Sequence, residues 1–112
     1  MSREDELVTL AEQIADGLTE VSRNEWMKWV QIFYAYYWDK HHDALQRAIH
    51  YAQRLSRDPT MRPAIRRAHD LIAKTIQSHA RRITSLPLPE QQRLFGYVAW
   101  NLVVQSKGGR RR

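Results

Sequence analysis

The segment Ser22–His42, SRNEWMKWVQIFYAYYWDKHH, decides how this chain of 112 residues folds. It holds three of the four tryptophans, three of the five tyrosines and one of the two phenylalanines. So much aromatic surface is stable in water only when other segments cover it, because burial of aromatic rings contributes much of the hydrophobic free energy of a small domain. We therefore expect the rest of the chain to pack around this segment.

A strong helix start opens the segment. In the capping box Ser22–Glu25, the serine hydroxyl accepts the backbone N–H of the glutamate, whose side chain reaches back to the serine N–H. Val21 and Trp26 flank the box as a hydrophobic staple. Because no proline or glycine occurs from Arg23 to Arg57, the sequence predicts one helix over this whole range, roughly 50 Å long at 1.5 Å per residue.

Helical periodicity divides the aromatic residues of this helix. Its phase places Trp26, Phe33 and Tyr37 on the apolar face, so we expect these three rings to lie in the core. Trp38 lies off one edge of that face, and we expect it to contact another subunit.

The other edge of the apolar face carries Trp29 and Tyr36 and continues into Lys40, Arg47 and Arg54. Such a line can bind a nucleic-acid strand, since aromatic rings stack on bases and cations follow phosphates. It is equally typical of the margin of a core, along which the stems of Lys and Arg side chains lie. The pattern is compatible with both interpretations.

Three further helices are predicted around the long one. Apolar residues recur at helical spacing from Leu7 to Leu18 and again from Met61 to Ile83, and the prolines at 59 and 63 separate the second helix from the third. The last helix, residues 90–106, is apolar almost all round, so we expect it to be buried on several sides.

These segments predict an all-α fold. We expect a bundle-like single domain of four helices over residues 1–106, with helices two and three forming a long hairpin. A flexible basic tail, residues 107–112, is expected to follow it.

The third predicted helix carries the clearest functional signal. Arg67, Lys74 and Arg81 recur every seven residues opposite the apolar stripe, and like charges on one line do not stabilise a helix. A bound polyanion explains them better. The predicted nucleic-acid-binding residues are this stripe and the nearby cations of helices two and three: Lys40, Arg47, Arg54, Arg57, Arg66, Arg67, Lys74, Arg81 and Arg82.

The distribution of charge supports this hypothesis. The formal net charge is +6, but residues 1–20 carry six acids and one arginine, whereas residues 21–112 carry seventeen basic and six acidic residues. A basic body favours a polyanionic partner, and the acidic first helix is suited to dock on a basic surface of this chain or of another. A basic surface that serves only solubility is the alternative.

No catalytic or metal-binding pattern is complete. The chain has no cysteine, so disulfides, thiolate ligands and cysteine nucleophiles are excluded. His42-Asp43 and His69-Asp70 suggest a metal phosphohydrolase, but that chemistry needs a further His and Asp around the metal. Glycine-rich phosphate loops, zinc spacings and nucleophile elbows are absent from the sequence. We therefore expect neither enzyme activity nor a metal or cofactor.

The acidic N-terminus does not resemble a secretory signal, and the longest apolar run, Leu94–Val104, is shorter than the roughly 20 residues that cross a bilayer. We expect a cytoplasmic protein without a membrane partner.

In its size, helical build, basic faces and apolar last helix, the chain resembles the small helical subunits of Cascade-type CRISPR surveillance complexes. The resemblance implies a non-catalytic subunit that self-associates along a larger assembly and holds the phosphates of a guide–target duplex or a displaced strand. It carries no residue-by-residue roles.

The leading hypothesis is therefore a helical subunit of a nucleoprotein assembly that binds nucleic-acid backbone, RNA or DNA, beside other protein subunits. The alternative is a homo-oligomeric or adaptor module whose last helix binds protein and whose basic faces only solvate.

Overall fold

A computed structural model describes residues 2–107, which form five α-helices and no strand. The predicted all-α, single-domain fold is confirmed, but the prediction of four helices is wrong. The helices are α1 (Arg3–Asp16), α2 (Arg23–Trp38), α3 (Ala44–Ser56), α4 (Pro63–Thr84) and α5 (Leu88–Lys107). Most of the predicted tail lies outside the described residues.

The core is organised around α2. The indoles of Trp26 and Trp29 are completely buried and stack with their centroids 5.3 Å apart. Trp26 donates its Nε1–H to the carbonyl oxygen of Phe95 on α5 at 3.1 Å, and Trp29 donates to the carbonyl of Ala48 on α3 at 2.9 Å. Because a buried indole N–H without an acceptor is costly, these two bonds set where α5 and α3 lie against α2.

The predicted helix over 23–57 breaks between Trp38 and Ala44. A straight helix would separate Trp29 from Ala48 by roughly 28 Å along its axis, yet the indole nitrogen of one touches the carbonyl of the other. The chain turns back at residues 39–43, so that the apolar faces of α2 and α3 pack on each other. The absence of proline and glycine was therefore a poor guide to helix length.

The turn begins with a C-terminal cap of the Schellman type. The N–H of His41 donates to the carbonyl of Tyr36 at 3.2 Å, and the N–H of Lys40 donates to that of Tyr37 at 2.9 Å. This geometry requires a left-handed residue after the cap, usually glycine. Lys40 fills that position with φ of 63° and is the one non-glycine residue with positive φ in the part of the chain described.

The other helices enclose this centre. The helices α3 and α4 form a hairpin, whose turn is held by Asp58, which accepts hydrogen bonds from both the backbone and the hydroxyl of Thr60. The sequence predicted a hairpin whose first arm is one continuous helix over residues 23–57. In the structure only the second part of that range, α3, forms the first arm.

The acidic helix α1 docks on its own chain. It runs parallel to α5, with Glu4 paired to Arg93 at one end and the Ala15 carbonyl accepting from Gln105 at the other. It also lies antiparallel to α4. The two helices approach so closely that a Cβ added at Gly17 would stand 2.6 Å from the Thr75 hydroxyl oxygen.

The last helix is less enclosed than its composition suggests. Its inner face, with Leu94, Phe95 and Val98, is fully buried. On its outer face Trp100 is 64% exposed and Val104 47% exposed. The prediction of burial on several sides therefore fails for these two residues within the described chain.

We predict that Trp29→Phe lowers the free energy of unfolding by about 1–3 kcal/mol, because the ring remains but the buried hydrogen bond to Ala48 is lost and a small void is left. Urea denaturation measures the change. The matched control is Trp100→Phe on the exposed face of α5, which should alter stability by less than about 0.5 kcal/mol. Equal losses in the two variants would contradict the role of the buried indole.

Candidate nucleic-acid interface

The outer face of α4 presents the predicted basic stripe. Arg67, Lys74 and Arg81 are exposed, while the opposite face of the helix, including Ile72 and Ile76, is buried. Seven residues advance the helix by roughly 10 Å and almost two full turns, so the three cations form one line along the solvent side. We call Arg67, Lys74 and Arg81 the α4 stripe.

Two members of the stripe have acidic neighbours, but both pairs are weak. Arg67 lies 3.9 Å from Glu20, and Lys74 lies 3.0 Å from Asp70 one turn away on the same helix. The side chains of Arg67 and Lys74 are 63% and 74% exposed. Exposed pairs of this kind contribute about 0–1 kcal/mol, so an external polyanion can compete for these cations.

The margins of α4 carry the other two predicted cations of this helix, of which Arg82 is exposed. Arg82 donates to the side-chain oxygen of Gln13 on α1 at 2.9 Å. Arg66 is half-buried near Asp58, whose pKa it helps to lower after the hydrogen bonds from Thr60. Burial, and then the Arg82 guanidinium, lower the pKa of His79, so this histidine is neutral at pH 7 and adds no charge.

The predicted cations of α3 contact residues of their own segment and none of the α4 stripe. Arg47 is paired with Asp43 at 2.8 Å, and Arg54 lies over the ring of Tyr51, 5.8 Å from its centroid. Arg57 caps the end of the helix and is exposed. All three remain on the solvent side of the hairpin.

The predicted line of aromatic and basic residues from Trp29 to Arg54 is not continuous, because the helix breaks within it. The proposed base-stacking role of Trp29 is wrong, because its ring is completely buried and its N–H is bonded to Ala48. Tyr36 is half-buried, with its ring edge-on to His41 at 5.8 Å. Lys40 lies in the turn rather than on a helix, so the line from Trp29 to Arg54 is interrupted there.

Two aromatic residues at the end of α2 reach solvent instead. Tyr37, predicted to face the core, is 38% exposed, and Trp38 is 66% exposed. Their rings meet edge to face at 5.5 Å. Helix periodicity placed Tyr37 inward, but α2 ends one residue later, and nothing covers its last turn on that side within residues 2–107.

These two rings border an open groove of about 630 Å³, which we call the turn groove. It lies between the turn at 39–43, the end of α4 and the start of α5. Its lining combines three aromatic residues, two aliphatic ones, four titratable ones and three uncharged polar ones: Phe33, Tyr37, Trp38, Ala44, Leu45, Lys40, His41, His42, Asp43, Gln46, Thr84 and Gln91.

Sequence reasoning missed this groove because it depends on the turn. The available signal was the run Asp39-Lys40-His41-His42-Asp43. Asp and His are poor residues for a helix interior, and Asp favours helix ends. Such a cluster in a long helical pattern is typical of a boundary even without proline or glycine.

The histidines and acids do not assemble a metal centre. Within residues 2–107, no three of the His, Asp and Glu side chains come close enough together to hold an ion. None of the helices in the same range has the length and apolar character needed to cross a bilayer.

Comparison with family models, with curated proteins and with solved structures finds no match to this chain.

We predict that Lys40→Gly is more stable than Lys40→Ala by about 1 kcal/mol, because glycine adopts a left-handed conformation without the penalty of a Cβ. Urea denaturation of the two variants measures the difference, and both lose the same charge.

The matched control is Lys28 in the interior of α2, where glycine should instead be less stable than alanine by about 1 kcal/mol. The same sign at both positions would contradict the cap geometry at Lys40.

Proposed function

We propose that this protein is a non-catalytic helical subunit that binds the phosphate backbone of nucleic acid within a larger nucleoprotein assembly. The single observation that carries the proposal is the α4 stripe, three exposed cations in one line on a helix of 22 residues. A rigid helix holds such a line in place, and its roughly 10 Å intervals suit a polymer of regularly spaced negative charges better than a small anion.

The stripe offers charge but little that could read a base sequence. Arginine and lysine side chains on an exposed convex helix neutralise phosphates and release counterions, which gives affinity without sequence preference. We therefore propose that other subunits, or base pairing, supply the specificity. The finer proposal, a small subunit of a CRISPR effector complex, rests on the resemblance in size and helical build and stays a prediction.

The acidic helix supports an orientation for this binding. One carboxylate that follows α1, that of Glu20, meets Arg67 at a margin of α4, where Gln13 of α1 also accepts a hydrogen bond from Arg82. A polyanion is repelled from that margin and attracted to the outer face of α4 and toward α3. The proposed path therefore runs along α4 on the side away from α1.

We predict that neutralising the stripe in Arg67→Gln/Lys74→Gln/Arg81→Gln weakens binding to a single strand of about 30 nucleotides and makes the salt dependence shallower. Each lost phosphate contact should reduce the slope of log K against log salt by about 0.7–0.9. Fluorescence anisotropy with a labelled strand of mixed sequence, over a series of salt concentrations, measures both effects.

The matched control is Arg23→Gln/Lys28→Gln/Arg93→Gln, which removes the same formal charge from α2 and α5. If affinity and slope fall equally in both triple variants, only net charge matters and the stripe is not the site. If wild-type protein and stripe variant bind equally with the same slope, the proposed function is wrong.

A second candidate function is a protein–protein interaction module, favoured by the outer face of α5. Trp100 and Val104 lie one turn apart and exposed, and a side chain added at Gly96 would meet no atom within 4 Å. This apolar strip is suited to a second helix. This candidate function does not explain the exposed basic residues of α4.

For this alternative we predict self-association that is independent of nucleic acid and is abolished by Trp100→Asp, because a carboxylate cannot be buried at an apolar interface without cost. Sedimentation velocity with and without the strand measures it. A wild-type monomer whose sedimentation changes only when the strand is added would exclude this candidate.

A further inference from the structure

We infer that the turn groove binds one unpaired base of a nucleic-acid strand whose phosphates lie along the α4 stripe. The inference rests on the proposed function and specifies its substrate class as single-stranded nucleic acid, or nucleic acid with an extruded base. Its evidence is separate from that for the stripe, because it comes from the turn between α2 and α3.

The aromatic part of the site is Trp38. Its side chain is 66% exposed, which is unusual for the largest apolar side chain and leaves a ring face available. Tyr37 meets it edge to face at 5.5 Å with an interplanar angle of 86°, which limits the freedom of the indole. A base stacked on such a ring gains affinity whatever its identity, since every base has a π-face.

The polar part of the site is basic apart from one carboxylate that is already paired. Lys40, His41 and His42 line the groove on the side of the turn. The one carboxylate in the lining, that of Asp43, is engaged by Arg47, and this hydrogen bond holds its pKa below the usual value. The groove therefore does not repel the phosphate that accompanies a base.

Lys40 itself has an unfavourable backbone. At φ of 63°, glycine would be less strained. Strained non-glycine residues of this kind concentrate at functional sites, where the side chain is needed despite the conformational cost. Its position in the lining of the groove supplies a use for the ammonium group, namely contact with a phosphate next to the stacked base.

The groove is adjacent to the end of the α4 stripe. Thr84, which lines the groove, is three residues after Arg81, and its hydroxyl bonds to the Arg81 carbonyl at 3.2 Å. Residues three apart are neighbours on a helix surface. A strand that follows Arg67, Lys74 and Arg81 therefore arrives at the groove without leaving the protein surface.

The size of the groove fits a nucleotide. Its volume of about 630 Å³ lies within the range of small-ligand sites, which is roughly 300–1,000 Å³. Its lining combines the buried apolar residues Phe33, Ala44 and Leu45 with polar and titratable side chains around the exposed aromatic rings. The mixed lining favours a ligand with a flat apolar ring and a charged group.

The test compares Trp38→Ala with Trp100→Ala, two tryptophans that are 66% and 64% exposed. We expect Trp38→Ala to weaken binding of a labelled single strand about 5- to 100-fold, without changing the salt slope, because the indole holds no phosphate. Trp100→Ala should bind as wild type does, and Trp38→Phe should restore most of the affinity. Urea midpoints establish that all three variants are folded.

Two further probes separate base from backbone. On a strand of abasic sites, which keeps the phosphates, wild type and Trp38→Ala should bind equally. On a fully paired duplex they should also bind equally, because its bases are stacked within the helix. A loss of affinity on the abasic strand as large as on the normal strand would overturn the role of the base.

The outcomes distinguish this inference from the function on which it rests. If the stripe variant loses affinity while Trp38→Ala binds like Trp100→Ala, the groove is not a base site and the proposed function stands. If wild type binds no strand even at low salt, both are wrong. If AMP quenches Trp38 fluorescence without displacing the strand, the groove takes a free nucleotide and the inference about the strand is overturned.

Discussion

The arrangement of this fold depends on two buried indole N–H groups. Trp26 and Trp29 lie one turn apart on α2, and each must find an acceptor in a place that water cannot reach. Trp26 donates to the Phe95 carbonyl on α5, and Trp29 donates to the Ala48 carbonyl on α3. The ring of Phe95 then packs edge to face on both indoles and on Phe33. Three helices meet at this cluster, and it leaves little freedom in how they are arranged.

The second of these bonds has a consequence for the surface. Ala48 can reach Trp29 only if the chain reverses between α2 and α3, and that reversal brings residues 39–43 to the protein surface. A buried hydrogen bond thus creates the turn groove. The same reversal ends α2 directly after its aromatic run, which leaves Tyr37 and Trp38 facing solvent.

The helical class, the approximate extents of α1, α4 and α5, and the exposure of the α4 stripe could be predicted from local patterns, because caps, prolines and apolar periodicity act within a few residues. The break at Lys40 has only a weak local signal, the Asp and His residues of 39–43, and is stabilised by a contact between residues nineteen apart. The role of Trp29 was misjudged for the same reason. Its place at the edge of the apolar stripe of α2 was read correctly, but α3 folds back and covers that edge.

The close approach of Gly17 to Thr75 has an electrostatic consequence for the whole molecule. It brings the end of the acidic helix α1 against α4, whose exposed face is basic, so that acidic and basic parts of the chain lie side by side. An uneven distribution of charge gives a molecule a dipole moment, on which the field of an approaching polyanion exerts a torque. The protein therefore turns its basic side toward such a polymer before contact, and collisions in the wrong orientation become less frequent.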